Sequence, residues 1–356
     1  MIEQRSLDFL KQLMNTTSPS GFEGEASHLW CDEARRFTDN VKVDLHGNSI
    51  AIVNQGGSPR VMIAGHLDEI GLMVNYIDDD GFIYFSGIGG WDPQILAGQR
   101  VWIQSKEGKI KGGIGKKPIH MLTKEERKKA VEIKDLWIDI GAKDKKDAER
   151  LISIGDPIVL AYDLCEMENG LILSKGCDDK TGAFVALEAA RMLSTLKPKA
   201  EIYAVATVQE EVGLRGATTS AFGVDPKVGI AVDVGFATDF PTMKEEKKRV
   251  GDARIGSGPI IARGANINHK IYDLLVETAK EHKISYQISG APRGTGTDAN
   301  PIQLTRSGVA ASLVSIPNRY MHTPCEVVSL KDIEETYKLI AYAIEKINDE
   351  MDLTPF

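Results

Sequence analysis

The order of apolar and polar positions divides the chain into regions of different texture. Residues 2–15 and 24–37 carry apolar side chains at three- and four-residue spacing, which predicts two amphipathic helices; the intervening "SPSGFEG" supplies the Ser, Pro and Gly that end one and start the other. The period then shortens to two. "VKVDLHGNSIAIV" predicts a hairpin around His46-Gly47-Asn48, and "RVMIAGHLDEIGLMV" (60–74) predicts two apolar strands broken by a polar loop. From about 72 to 165 the runs are short and punctuated by glycine, as in "FIYFSGIGG", "RVWIQS", "GKIKGGIG", "KDLWIDIG" and "DPIVLAY", with one charged helix expected at "TKEERKKAVEI". From 181 onward helices and strands alternate: helix 181–195, strands 200–208 and 228–234, helix 267–283, strand 309–316 and helix 330–348. That rhythm predicts an α/β protein. Its simplest organisation is a doubly wound α/β domain formed by residues 1–71 and 166–356, with a small β-rich domain of residues 72–165 inserted.

Composition narrows the partners. With 356 residues, 42% hydrophobic and 26% charged, the chain has ample core material and is neither disordered nor fibrous. A net charge of -8 provides no basic excess to displace phosphate counterions, so neither nucleic acid nor an anionic membrane is an expected partner. No run reaches the apolar length of a membrane span, and the charged, amphipathic "MIEQRSLDFLKQLMN" has no signal-peptide core, so a cytoplasmic protein is expected. Cys31, Cys165, Cys177 and Cys325 are too sparse for a disulfide framework, which agrees. The charge runs "KEERKK" and "KEEKKR" read as solvated faces. "SGIGGWD" and "GSGPII" lack the ending of a phosphate loop.

Polar clusters at the ends of apolar strands carry the candidate chemistry, since α/β folds place their sites there. In "AGHLDEIG", His66 and Asp68 are two apart and project to one face of an extended segment. They form either a satisfied loop pair or a metal ligand with a carboxylate that fixes its imidazole. "SKGCDDKTG" precedes a helix, so Asp178 and Asp179 can cap it, but a carboxylate has two oxygens and can also bridge two cations; Asp178 is the candidate bridge. In "VQEEVGLRG", Glu210 and Glu211 adjoin at the end of "AEIYAVATV", where like charges resist joint ionisation unless cations lie close. Asp233, inside "VGIAVDVGF", is costly to bury unless paired or metal-bound. "NRYMHTPCE" adds His322. Carboxylates and imidazoles together suit Zn²⁺, Co²⁺ or Mn²⁺, and two such ions activate water for amide hydrolysis.

These motifs, "AGHLDEIG", "DDKTG", "VQEEVGLRGA", "AVDVG", "GTD" and "YMHT", occur in an order that resembles the tetrahedral aminopeptidases, a family of di-metal exopeptidases acting on glutamyl, leucyl or blocked N-termini. The resemblance spans essentially the whole chain. It implies an aminopeptidase domain with a mainly parallel central sheet flanked by helices, and a β-rich insert that serves dimerisation. By that resemblance Asp178 bridges two divalent ions, His66 and Asp233 complete one site, and Glu211 and His322 complete the other. Glu210 becomes the general base and Asp68 orients His66. A cis peptide between Asp178 and Asp179 is also implied, as are peptide substrates with a free N-terminus and assembly from dimers to a hollow dodecamer. Lys180 departs from the arginine common after the acid pair, and the loop "GAPRGTGTDAN" carries Pro292 and Arg293 in a plainer glycine run. Some relatives bear the label endoglucanase, so glycoside hydrolysis by paired carboxylates and a peptide-binding shell without chemistry stand as alternatives. The aromatic content of 6% is thin for a sugar groove.

Overall fold

The computed structural model describes residues 2–355. The chain opens with helices α1 (Gln4–Asn15) and α2 (Gly24–Ala34) and strands β1 (Val41–Val43), β2 (Ser49–Val53) and β3 (Arg60–His66). Next come β4 (Gly71–Ile77), β5 (Ile83–Ile88), β6 (Arg100–Ser105), β7 (Gly108–Gly115) and β8 (Trp137–Asp139), then helix α3 (Lys145–Leu151) and β9 (Pro157–Leu160). Strands β10 (Cys165–Met167) and β11 (Leu171–Ser174) lead into helix α4 (Cys177–Leu196). Alternation resumes with β12 (Glu201–Thr207), α5 (Arg215–Val224), β13 (Val228–Phe236), α6 (Lys247–Val250), β14 (Ile260–Gly264) and α7 (His269–Glu281). The chain finishes with β15 (Gln287–Ala291), α8 (Ala299–Gln303), β16 (Ala310–Asn318), β17 (Glu326–Ser329) and α9 (Leu330–Glu345).

One sheet of eight strands runs in the order β1-β2-β12-β3-β13-β16-β14-β15. Its centre, β12-β3-β13-β16, is parallel, which is why those strands read as near-continuous apolar runs: parallel strands are covered on both faces. The class is therefore α/β, with a mainly parallel central sheet flanked by helices. Strands β4 to β9 close into a separate small barrel around their own core, which includes Leu72, Ile83, Ile103, Ile138 and Ile158. The barrel enters between β3 and β10, so the last residue of β3 and the first of β4 lie a short loop apart.

Helix α4 is buried along most of its length and packs on β3, β12, β13 and α9. Apolar residues around its whole circumference make that burial favourable. Its approach to β3 is so close that a Cβ on Gly65 would lie 2.3 Å from the Gly182 carbonyl carbon. On the other side of the sheet, Gly229 leaves room for Ile302 of α8. Gly229 pairs with Met62, three residues from Gly65, so alternation places the two glycines on opposite faces. Helices therefore cover both.

Two local expectations are corrected. "TKEERKKAVEI" is not an α-helix; the segment holds a 3-10 turn at Glu126–Lys128 and ends where another, Ile133–Asp135, begins. Its apolar residues, Ala130, Val131 and Ile133, crowd one end and form no stripe to bury. Conversely, α5 in "RGATTSAFGV" was not anticipated, because glycine and threonine are weak helix formers; packing on β12 and α8 supplies its stability.

Because Gly65 faces backbone and not a mobile side chain, Gly65→Val is expected to destabilise by about 3 kcal/mol, the upper end for overpacking. The check is a lower urea midpoint at unchanged slope, and an unaltered midpoint would show that α4 can retreat freely.

Candidate metal centre

Parallel strands deliver their C-terminal ends to one edge of the sheet. His66 ends β3, Asp233 lies near the end of β13, and Glu210 and Glu211 follow β12. His322 follows β16, and the N-terminal turn of α4 brings Asp178. Residues far apart in sequence thus share one small volume.

Each oxygen of Asp178 faces a different imidazole: Oδ1 is 3.1 Å from His66 Nε2 and Oδ2 is 3.2 Å from His322 Nε2. Glu211 Oε1 is also 3.2 Å from His322 Nε2. Donor atoms of His66, Asp178 and Asp233 all lie within 4.8 Å of one another, as do those of Asp178, Glu211 and His322. Glu210 Oε2 stands slightly apart, 3.9 Å from His66 Nε2. The Asp178-Asp179 peptide bond is cis. Asp179 turns away from the cluster and accepts from the His66 and Gly182 backbone amides.

The histidine tautomers follow from their other ring nitrogens. His66 Nδ1 is 2.9 Å from the Asp68 carbonyl, and His322 Nδ1 is 2.8 Å from the Gly90 carbonyl. A carbonyl only accepts, so both Nδ1 atoms carry protons and each ring turns Nε2 toward carboxylate oxygens. Nitrogen and carboxylate stay that close only with positive charge between them, either a second ring proton or a bound cation. Glu211 Oε1 is buried and, besides the His322 ring, meets no hydrogen-bond donor among the described residues, and N/O donors of this kind suit divalent transition ions. The residues therefore fit a metal centre.

Charge balance makes the same point. Burial pushes the Asp233 carboxyl well above its ordinary value, with Asp178 adding to the push, and burial together with Asp233, Asp298 and Glu211 carries Glu210 up to about 9. Hydrogen bonds to Asp178 and Glu211 push His322 up to about 11. Burial alone would lower His66, yet Glu210, Asp178 and Asp68 raise it well above the usual range. The protein surrounds the cluster with too little positive charge, a deficit that bound cations remove.

The supporting groups are carboxylates that accept backbone N–H bonds. Asp68 sits with Oδ1 3.5 Å from His66 Nδ1, but the closer contact to that ring is its carbonyl. Its carboxylate accepts from the Glu210 and Glu211 amides at 3.0 and 3.1 Å and from Ser20 Oγ at 2.6 Å. Glu23 accepts from the Gln209 amide. These bonds set the turn after β12, where Gln209 adopts a positive φ of 56°, and the chain changes direction at the two glutamates. Glu326 accepts from the Asp178 amide at 3.0 Å and the His322 amide at 2.8 Å. Sequence reasoning assigned no role to Glu326, Glu23 or Ser20. Glu326 had a signal: like Asp233, it is an acid abutting an apolar run, "EVV".

Lys180, where an arginine was the expected type, is fully buried and donates to Glu69 and the Thr16 carbonyl, both at 2.9 Å. Lys175 shares Glu69 and the same carbonyl. The shared ion pair anchors both ends of the segment that presents Asp178.

Fold and donor set together define a hydrolase of the metallopeptidase class. A family model described as M42 glutamyl aminopeptidase matches residues 47–339, and the chain belongs to that family. The chain is 36% identical to the lysyl aminopeptidase of Pyrococcus furiosus over 98% of its own length and 99% of the relative's. Among solved structures, the TET aminopeptidase of a marine-sediment Thaumarchaeota archaeon superposes with a TM-score of 0.91 at 36% identity, covering 98% of each chain. The Pyrococcus horikoshii TET1 peptidase, described as able to assemble into a tetrahedron or a large octahedral shell, superposes with a TM-score of 0.85 at 29% identity, covering 96% of this chain and all (100%) of that one.

Burial alone would raise the Glu69 carboxyl, but Lys175 and Lys180 hold it down to about 2 from an ordinary 4.5. A carboxylate depressed in the folded state stabilises the fold above its unfolded value, and that contribution disappears as pH falls from about 4.5 toward 2. Glu69→Gln is accordingly expected to be less stable than the parent at pH 7, with the gap narrowing through that window in urea unfolding. A gap indifferent to pH would contradict the ion-pair account.

Proposed function

We propose that this chain is a metal-dependent aminopeptidase that removes N-terminal residues from peptides with a free α-amine. The observation that carries the reading is the division of one carboxylate, Asp178, between two imidazoles whose Nε2 atoms both face it. On this reading His66, Asp178 and Asp233 hold one divalent ion, and Asp178, Glu211 and His322 hold a second. Zinc or cobalt suits these donors, and manganese is also accommodated. Such ions supply Lewis-acid polarisation of the scissile carbonyl and a water acidic enough to ionise near neutrality.

The chain's own part is positioning and proton transfer. Glu210 stands outside the close contacts of the shared carboxylate, free to take a proton from the attacking water onto Oε2 and return it to the leaving amine. Asp68 keeps Glu210 and Glu211 in separate directions by accepting both of their backbone amides, and its carbonyl fixes the His66 tautomer. Glu326 does the equivalent for Asp178 and His322. Glycoside hydrolysis needs two carboxylates and would leave both histidines without a task. A shell without chemistry would have no use for a base beside the donors.

The inserted domain, residues 72–165, is assigned to dimerisation, and dimers to a hollow dodecamer whose interior admits peptides and unfolded segments. Shell assembly by the Pyrococcus horikoshii relative supports this. Among the described residues no helix is long and apolar enough to cross a membrane.

Glu210→Gln is expected to keep full metal content by elemental analysis while lowering kcat about 100-fold or more, the usual weight of general-base catalysis. Near-normal turnover in that variant would remove Glu210 from the role. Light scattering on metal-loaded protein is expected to give a mass of many subunits, and a strictly monomeric mass would contradict the assembly.

A further inference from the structure

An aminopeptidase must hold the substrate's α-amine and its scissile carbonyl at the same cluster. The side chain on the carbon between them has to enter a recess beside it. Two hollows adjoin the cluster. One, between Trp91, Lys175 and Asp178, has a volume of about 10 Å³ and is water-sized. The other is an open groove of about 440 Å³ that begins at Val234 and ends against the loop preceding Asp298.

The groove continues the sheet face that carries Asp233. Asp233 pairs with Ser315, and Ser315 pairs in turn with Ile260, so all three project to one side. Gly235 lies on that side too, roughly 6.5 Å farther along the strand. A Cβ on Gly235 would lie 2.9 Å from Ser315 Cβ and 3.0 Å from Ile260 Cδ1. Ser315 and Ile260 thus pack directly against Gly235, which sends no side chain of its own between Asp233 and the groove. Beyond it the floor consists of Ile260, Ala262 and Leu313, with no ionisable group among them.

Charged residues reach only the rim, and two of the three have partners there. Arg249 is paired with Glu246, and Asp252 with Lys247 and Arg254. Arg293 is exposed, on the loop that closes one end. A site that selects a carboxylate holds its arginine in a fixed fork; no hydrogen bond or ion pair fixes Arg293 among the described residues. Its charge does oppose a lysine ammonium.

Resting on the proposed aminopeptidase reading, we propose that this groove receives the side chain of the released residue and selects an uncharged aliphatic or thioether group, leucine or methionine, over acidic and basic ones. Gly235, Ala262 and Ser289 are the positions that set the selection; Ser289 pairs with Ala262 and shares its face.

The test uses metal-loaded oligomer and the anilides of Leu, Met, Ala, Glu and Lys. Leu and Met are expected to exceed Ala in kcat/KM by about tenfold or more, the scale on which an apolar pocket discriminates missing methylenes, and to exceed Glu and Lys by more. Ala262→Leu, which fills the floor, is expected to lower the ratio of Leu to Ala kcat/KM at least tenfold. Ser289→Asp, at a half-exposed position where folding is not at stake, is expected to shift preference toward Lys. Preference for Glu that disappears in Arg293→Ala would overturn the assignment, as would an unchanged Leu to Ala ratio in Ala262→Leu together with an unchanged Lys to Leu ratio in Ser289→Asp. Failure to release any of the five residues would instead defeat the aminopeptidase reading on which the groove assignment rests.

Discussion

The arrangement turns on one electrostatic constraint: Asp178, Asp233, Glu210 and Glu211 are packed together in a site from which water is largely excluded. Like charges at such range resist joint ionisation, and the two imidazoles that face them have already committed Nδ1 to backbone carbonyls. The protein does not relieve this with lysine or arginine at the cluster. Its nearby cations, Lys175 and Lys180, are spent on Glu69. A cluster organised in this way is complementary to divalent ions and to little else.

Holding such groups in place requires rigid backbone, and the structure obtains it by letting carboxylates accept amide N–H bonds. Asp68 takes the amides of Glu210 and Glu211, Glu23 that of Gln209, and Glu326 those of Asp178 and His322. Each bond costs a little desolvation and removes a buried unsatisfied donor. Together they connect β3, β12, β16 and α4 at the edge where the strands end. The close approach of α4 to β3, possible because Gly65 and Gly182 lack side chains, brings Asp178 within reach of His66.

One sheet face carries both the acidic cluster and the neighbouring groove. Strand β13 presents Asp233 and then Gly235, so an acid of the cluster is followed on the same side by a residue without a side chain. Gly90, in the loop between β5 and β6, contributes the carbonyl that faces His322 Nδ1. A loop of the barrel thus supports a cluster whose side chains come from α4 and from the ends of the main sheet's strands.

Part of the cluster was legible in the sequence because a polar group at or inside an apolar run is costly unless it has a partner, and His66, Glu210, Glu211 and Asp233 occupy such positions; Asp178 was marked instead by the acid pair before a helix and His322 by following a strand. Period and glycine spacing likewise predicted the α/β class and the β-rich stretch. Periodicity is a local property, so it failed where stability comes from packing, as in α5, and where a charged segment has no face to bury, as in 123–133. It also could not tell that Asp68 meets His66 most closely through its carbonyl while its carboxylate serves two amides, or that Glu326 belongs beside Asp178. Those facts depend on which backbone N–H groups meet which carboxylates across β3, β12, β16 and α4. Residue chemistry was written along the chain, but the partners that make each group tolerable were decided only when parallel strands brought their ends together.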